Sequence, residues 1–181
     1  MKKYKLEIQQ DTDAMNPRTE FDCNIGQIIV TNNRHFSGDK QCSVSEMSDI
    51  VNNSDNSGVT IPIYAYVHGG IRLNTKPFNC PWDSGQAGFI SLNRKQFLEN
   101  MGYKRMSAKR LEEAKKQLLS ELETYFQYIH GEIYGYIITD DEGEQVDSCW
   151  GFYGKEYCKK EGENEIKNLE FADKKRGGGQ N

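Results

Sequence analysis

A stripe of apolar side chains between residues 108 and 129 constrains the fold of this chain more than any other feature. Ser107 can cap the start of a helix there, and Gly131 can take the left-handed conformation at its end. The apolar residues recur at steps of three and four, which places them on one helical face: Leu111, Ala114, Leu118, Leu122, Tyr125, Phe126 and Ile129. Because such a face needs an apolar partner, the pattern predicts a long helix packed on a sheet.

Short segments rich in alternating, β-branched or aromatic residues predict the strands of that sheet. Two of them, residues 133–139 and 145–153, flank an acidic turn that ends in Gly143 and form a predicted hairpin. The other predicted strands precede the long helix and cover residues 3–9, 25–31, 61–67, 71–75 and 87–92. The sequence therefore predicts an α+β fold, with a mainly antiparallel sheet and one long amphipathic helix (about 108–129) packed on it.

Smaller local signals complete the predicted organisation. Ser43 and Glu46 stand three residues apart, as a capping box requires, and predict a short helix that runs through about Val51. The polar segment from Asn52 to Gly58 is typical of a surface loop. From Lys155 onward, charged residues crowd and apolar residues thin out. We therefore expect a single domain over residues 1–154, followed by a charged, Gly-ending and partly disordered C-terminal tail over residues 155–181. Within this tail, the residues near Ile166, Leu169 and Phe171 could form a helical segment.

Composition limits the setting in which such a chain can act. No apolar run approaches the ~20 residues needed to cross a bilayer, and the basic start is not followed by an apolar stretch. The five cysteines are odd in number and show no Cys-x-x-Cys spacing, which indicates reduced thiols rather than disulfides or zinc ligands. The formal charge is −4 with acids and bases interspersed. These features predict a cytoplasmic protein without a membrane partner, which meets nucleic acid only through another protein.

Two short motifs stand out, Cys80-Pro81-Trp82-Asp83-Ser84-Gly85 and Val146-Asp147-Ser148-Cys149-Trp150-Gly151. Each places an Asp-Ser pair within three residues of a Trp. In a structural interpretation, Asp and Ser bond to the backbone of turns while Trp fills the core. In a functional interpretation, the two motifs fold side by side into one exposed binding surface, for which we expect these residues: Trp82, Asp83, Gln86, Asp147 and Trp150.

A catalytic interpretation uses the same motifs differently. Asp83 and Asp147 could converge with His68 or His35 and hold a divalent metal that activates water for phosphodiester cleavage. Because carboxylates are hard ligands, magnesium or manganese would be the cofactor of such an enzyme. Under the binding interpretation, no metal or other cofactor is expected.

Several blocks of this sequence together resemble a family of small proteins carried by phages, plasmids and conjugative elements, mainly of Gram-positive bacteria. The resemblance covers about residues 10–154. Its specific parts are the two Trp motifs, extended to Gln86 in the first and to Gly154 in the second. The weaker blocks, in chain order, are Asn16-Pro17-Arg18, Gly26-Gln27-Ile28-Ile29-Val30, Gly38-Asp39, Pro62-Ile63-Tyr64 and Gly131-Glu132-Ile133-Tyr134-Gly135-Tyr136.

The resemblance implies a role in the conflict between mobile elements and their hosts. Some proteins of similar size and context are anti-CRISPR inhibitors of type II RNA-guided nucleases. By this resemblance, the chain is expected to bind and inhibit the effector nuclease or its guide-RNA complex in the host bacterial cytoplasm. The alternative in the same setting is a metal-dependent phosphodiesterase that cleaves guide RNA or other nucleic acid, with Asp83, Asp147 and His68 as its catalytic residues.

Overall fold

The computed structural model describes residues 3–31, 35–52 and 58–177. Most of the surface loop predicted over residues 52–58 lies outside these ranges. The chain divides into two compact units. One unit combines Met1–Met15 with Gly131–Asn181, and the other consists of Asn16–His130. The first unit takes its strands from both the first and the last part of the chain, and the predicted domain bounds of 1–154 and 155–181 stay a prediction.

The second unit contains a five-stranded sheet in the order β3-β2-β6-β4-β5. All neighbouring strands are antiparallel except β2 and β3, which are parallel. The sequence did not indicate β3, a strand of three residues. The bounds of the strands are Gln27–Thr31 for β2, Lys40–Cys42 for β3, Gly58–Val67 for β4, Ile71–Asn74 for β5 and Ser84–Asn93 for β6.

The predicted long helix, α4, runs over Ala108–Ile129 and packs on this sheet. Its N-cap is Ser107, whose side chain accepts a hydrogen bond from the backbone N–H of Arg110 at 3.3 Å. Gly131 has a φ of 67°, the left-handed conformation expected after the helix end. The apolar stripe of α4 is buried against the strands, as the spacing predicted. The core that they share includes Ile28, Ile63, Ile90, Leu118, Leu122 and Tyr125.

The described residues of the second unit also form three shorter helices. α2 covers Val44–Asn52 and begins with the predicted capping box: Ser43 N–H donates to the Glu46 carboxylate at 2.7 Å, and Glu46 N–H donates to Ser43 Oγ at 3.2 Å. These bonds from Ser43 hold the pKa of Glu46 below its ordinary value. α1 covers Pro17–Glu20 and α3 covers Arg94–Asn100.

The first unit contains a three-stranded antiparallel sheet in the order β1-β7-β8. β1 is Lys5–Gln10, β7 is Ile133–Thr139 and β8 is Gln145–Tyr153, so the predicted hairpin is confirmed. In its turn, the Asp140 carboxylate accepts the backbone N–H groups of Glu142 and Glu144 at 3.1 and 3.0 Å. This is the role that Asp has in tight turns.

A long helix, α5, covers Lys155–Gly177, whereas the sequence indicated helix in this range only near Ile166, Leu169 and Phe171. It packs on the three-stranded sheet through Cys158, which is fully buried, and through Ile166 and Leu169. Its partners include Tyr136 and Ile138 of β7. None of the described helices is both long and apolar enough to span a bilayer.

Candidate binding site

The Trp82 motif forms the turn that leads into β6. The backbone N–H of Val67, the last residue of β4, donates to the carbonyl of Asp83 at 2.9 Å. Ser84 Oγ donates to the carbonyl of Cys80, which closes the turn on itself. The turn is thereby fixed at the end of the five-stranded sheet, and Ser84 has the backbone-bonding role of the structural interpretation.

Trp82 projects from this turn with 92% of its surface exposed. An indole is one of the largest apolar side chains, and one left in water loses the stabilisation that its burial would give. Beside it lies an open groove of about 500 Å³. The side chains around this groove come from the turn, from β2, β4 and β6, and from the segment between β2 and β3. They include Thr31, His35, Val67, Trp82, Asp83 and Gln86.

The Asp83 carboxylate joins two neighbouring side chains at this groove. Its Oδ2 atom is 3.2 Å from His68 Nδ1, and the Cys80 thiol donates to the same oxygen at 3.8 Å. His68 stacks on Tyr66, with 6.2 Å between the ring centroids. The Asp83 carboxylate therefore links Cys80 and His68 at the start of β6.

The second Trp motif lies in β8, within the other unit. Tyr136 of β7 donates its hydroxyl to Asp147 Oδ2 at 3.1 Å. Burial, followed by this bond to Asp147, raises the pKa of the Tyr136 hydroxyl above its ordinary range. The Trp150 indole covers Gly135 so closely that a Cβ atom there would collide with the ring. Asp147 and Trp150 thus have structural roles in the hairpin, although Trp150 remains 45% exposed.

The structure brings together some of the predicted site residues. Trp82, Asp83 and Gln86 share the groove with His35, and His68 pairs with Asp83. Asp147 and Trp150 belong to the other unit, so the joint surface of both motifs stays a prediction. Within residues 3–31, 35–52 and 58–177, no group of three or more His, Cys, Asp or Glu side chains is placed to hold a metal ion.

Groove residues that sequence reasoning missed include Thr31 and Val67. Both lie at strand ends far along the chain from Trp82, and they reach the groove through the pairing of β2, β6 and β4. No local sequence pattern indicates these two residues, because the sequence of one strand does not show which other strand it will pair with. Comparison with protein-family models, curated proteins and solved structures gives no match to this chain.

Proposed function

We propose that this chain is a binding protein whose contact surface is centred on Trp82. The observation that carries the proposal is an indole that is 92% exposed on a turn fixed by its own hydrogen bonds. Trp is the residue type most enriched among the side chains that dominate binding energy at interfaces. Because the backbone of this turn is already fixed, binding has to order only the Trp82 side chain, which favours affinity. The groove beside Trp82 offers a recess for an apolar or aromatic group of the partner.

The partner that we propose is a type II RNA-guided nuclease or its guide-RNA complex, which this protein binds and inhibits in the service of a mobile element. The resemblance of the two Trp motifs to those of mobile-element proteins supports this setting. The formal charge of −4 also suits the basic surface by which such a nuclease holds nucleic acid. Asp83, beside Trp82 and with a side chain 38% exposed, adds a negative charge at the rim of the proposed contact.

The proposal is tested by titrating the guide-loaded nuclease with the purified protein and measuring affinity and target cleavage. We expect Trp82→Ala to weaken binding about 30-fold, which corresponds to about 2 kcal/mol at a hot spot. Phe171→Ala is the matched control, because Phe171 is an apolar side chain with 58% exposure in the other unit. The control should bind and inhibit as the native protein does. Equal affinity of the native protein and a folded Trp82→Ala variant would contradict the proposal.

The same reaction tests the competing phosphodiesterase hypothesis. The guide RNA is recovered after incubation and its length is compared with and without EDTA. Shortening that stops with EDTA and in Asp83→Asn would support the enzyme and contradict inhibition by binding alone. Intact RNA together with metal-independent co-elution of the two proteins would support the binding proposal.

A further inference from the structure

Basic and acidic residues are distributed unevenly along this chain, although its net charge is small. Residues 94–110 contain six basic residues and one acidic residue, a local charge of +5. Because the whole chain carries −4, the remaining residues carry −9. The basic segment is one corner of the second unit, made of α3, the connecting loop and the first turn of α4; we call it the α3–α4 corner.

An aromatic contact holds the α3–α4 corner together. The guanidinium carbon of Arg110 lies 3.8 Å from the centroid of the Tyr103 ring, and Arg110 Nη1 donates to the carbonyl of Arg105 at 2.8 Å. Phe97 of α3, which is buried, meets the Tyr103 ring edge-on at 6.0 Å. The loop is thereby packed onto the core, and Arg110 is pre-oriented on an aromatic platform, where it retains its positive charge.

Few acidic side chains neutralise this corner. Lys95 and Lys109 each have a glutamate four residues along, at 4.0 and 3.9 Å. These are exposed pairs of the kind that contribute little. In the part of the chain that the structure describes, no carboxylate pairs with Lys104 or Arg105, both of which are exposed.

Helix stability does not explain the position of these cations. A helix favours acids in its first turn and bases in its last turn, because its N-terminal end carries partial positive charge. α4 has no acidic residue in its first turn and no basic residue in its last turn. Lys109, whose side chain is 86% exposed, lies within the first turn instead. The local arrangement is therefore mildly destabilising for the isolated helix.

We propose that the α3–α4 corner is a binding surface for the phosphate backbone of a polynucleotide. Exposed Lys and Arg side chains, of which Lys104 and Arg105 have no acidic partner among the described residues and Lys109 has one exposed partner, lie beside an arginine stacked on a tyrosine. Nucleic-acid-binding proteins present this kind of surface. Lys104, Arg105 and Lys109 supply the phosphate contacts, and Tyr103 with Arg110 supplies a stacking platform. This surface shares no residue with the Trp82 site and has a different chemistry, so each of the two proposals can be tested independently of the other.

The test is titration of the full-length protein into a fluorescein-labelled 20-nucleotide single-stranded RNA, followed by anisotropy at 50–200 mM salt. We expect dissociation constants of about 10⁻⁶–10⁻⁴ M that rise with salt. The triple variant Lys104→Glu/Arg105→Glu/Lys109→Glu should bind at least about 10-fold more weakly. Its salt slope should be shallower by about 2, since each phosphate contact with a single strand contributes about 0.7.

The matched control is Lys159→Glu/Lys160→Glu/Lys174→Glu, which makes the same charge change at exposed positions of α5. It should stay within about 3-fold of the native affinity, and Trp82→Ala should do so as well. Circular dichroism verifies that each variant is folded. The proposal is overturned if the control weakens binding as much as the corner variant, or if the native protein does not bind RNA at 50 mM salt. It is also overturned if polyglutamate of matched charge binds more tightly than RNA, which would make the corner a docking site for acidic protein.

Discussion

At the scale of single residues, Arg18 organises the second unit. Its guanidinium, only 6% exposed, makes a two-bond contact with Asp39 at 3.0 and 2.6 Å and a further bond to Glu121 at 2.8 Å. Glu121 in turn accepts the backbone N–H groups of Ile25 and Gly26 at 2.7 and 3.3 Å. One arginine therefore links α1, the start of β2, the segment before β3 and α4. The blocks Asn16-Pro17-Arg18 and Gly38-Asp39, singled out by the family resemblance, meet in this network.

We expect Arg18→Ala to lower the free energy of unfolding by about 3–5 kcal/mol, because two largely buried carboxylates would lose their counter-charge. Arg18→Lys should recover only part of this loss, since an ammonium cannot make the two-bond contact with Asp39. Urea unfolding followed by circular dichroism measures the difference. Lys95→Ala, which alters one exposed ion pair, is the control and should change stability by less than about 0.5 kcal/mol. A loss below about 1 kcal/mol for Arg18→Ala would show that the network is not needed for stability.

Cys158 links pH to the stability of the first unit. Burial, with a smaller effect of nearby Cys149, raises the pKa of the Cys158 thiol from 9.0 to about 11. Between these two values the unfolded chain has lost the thiol proton while the folded chain keeps it. The folded state then binds more protons, so stability falls as the pH rises through this window.

From pH 9 to pH 11, we expect the native protein to lose about 2 kcal/mol more unfolding free energy than Cys158→Ala does. Urea unfolding at several pH values, with a reducing agent present, gives both curves. Other groups titrate in this range as well, and the comparison of the two proteins removes their shared contribution. Cys23→Ala changes an exposed thiol and should leave the pH slope of the native protein unaltered. Parallel curves for the native protein and Cys158→Ala would exclude this role of the thiol.

At the scale of elements, β7 and β8 fit each other through a glycine and a tryptophan. The register of the hairpin shifts between Tyr134 and Tyr136, which leaves Gly135 opposite the bulged part of β8. Gly151 there has a φ of 86°, a conformation that favours glycine. The Trp150 indole then lies over Gly135. The second Trp motif and the sequence block around Gly135 are therefore linked by a direct contact between Trp150 and Gly135.

Gly135→Ala should displace the Trp150 ring and destabilise the first unit by about 1–3 kcal/mol, the usual range for overpacking. Fluorescence of Trp150, recorded with Trp82→Phe so that only one indole remains, should shift to longer wavelength as the ring becomes more exposed. Gly70→Ala serves as the control, because a Cβ atom at Gly70 meets no atom within 4 Å. If Gly135→Ala and Gly70→Ala gave the same spectrum and stability, the proposed ring contact would not exist in solution.

At the scale of the whole molecule, the first unit is built from both ends of the chain. β1 pairs with β7, with Lys5 opposite Thr139, so this sheet closes only after nearly the whole chain is present. α5 then covers the face that carries Tyr136 and Ile138. A three-stranded sheet with one apolar face needs such a cover to be stable.

Removal of residues 155–181 should therefore unfold the first unit and leave the second unit intact. Hydrogen exchange read by mass spectrometry should show that protection of β1 and β7 falls about 100-fold or more, while β4 and β6 keep theirs. A chain shortened only to residue 177 retains all of α5 and should exchange as the native protein does. Unchanged protection of β7 in the chain that ends at Gly154 would show that α5 is not needed to stabilise this sheet.

Local patterns predicted those parts of the fold whose cause lies in neighbouring residues. The stripe of α4, the capping box at Ser43 and the hairpin turn at Asp140 each depend on side chains only a few positions apart. The sequence indicated only the part of α5 near Ile166, Leu169 and Phe171, because the buried residues of this helix are sparse within a charged sequence. Their partners lie on β1 and β7, and no pattern within α5 itself records those contacts.

The candidate site divides in the same way. The sequence by itself determined that the Trp82 motif is a turn and that α4 packs on a sheet, because turn chemistry and helical periodicity act over a few residues. Only the tertiary structure shows that Trp82 is exposed to solvent while Trp150 packs over Gly135, and that Asp83 pairs with His68. The physical reason is that exposure and side-chain pairing depend on which distant strands come together, and the free energy of that pairing is shared among residues far apart in the chain.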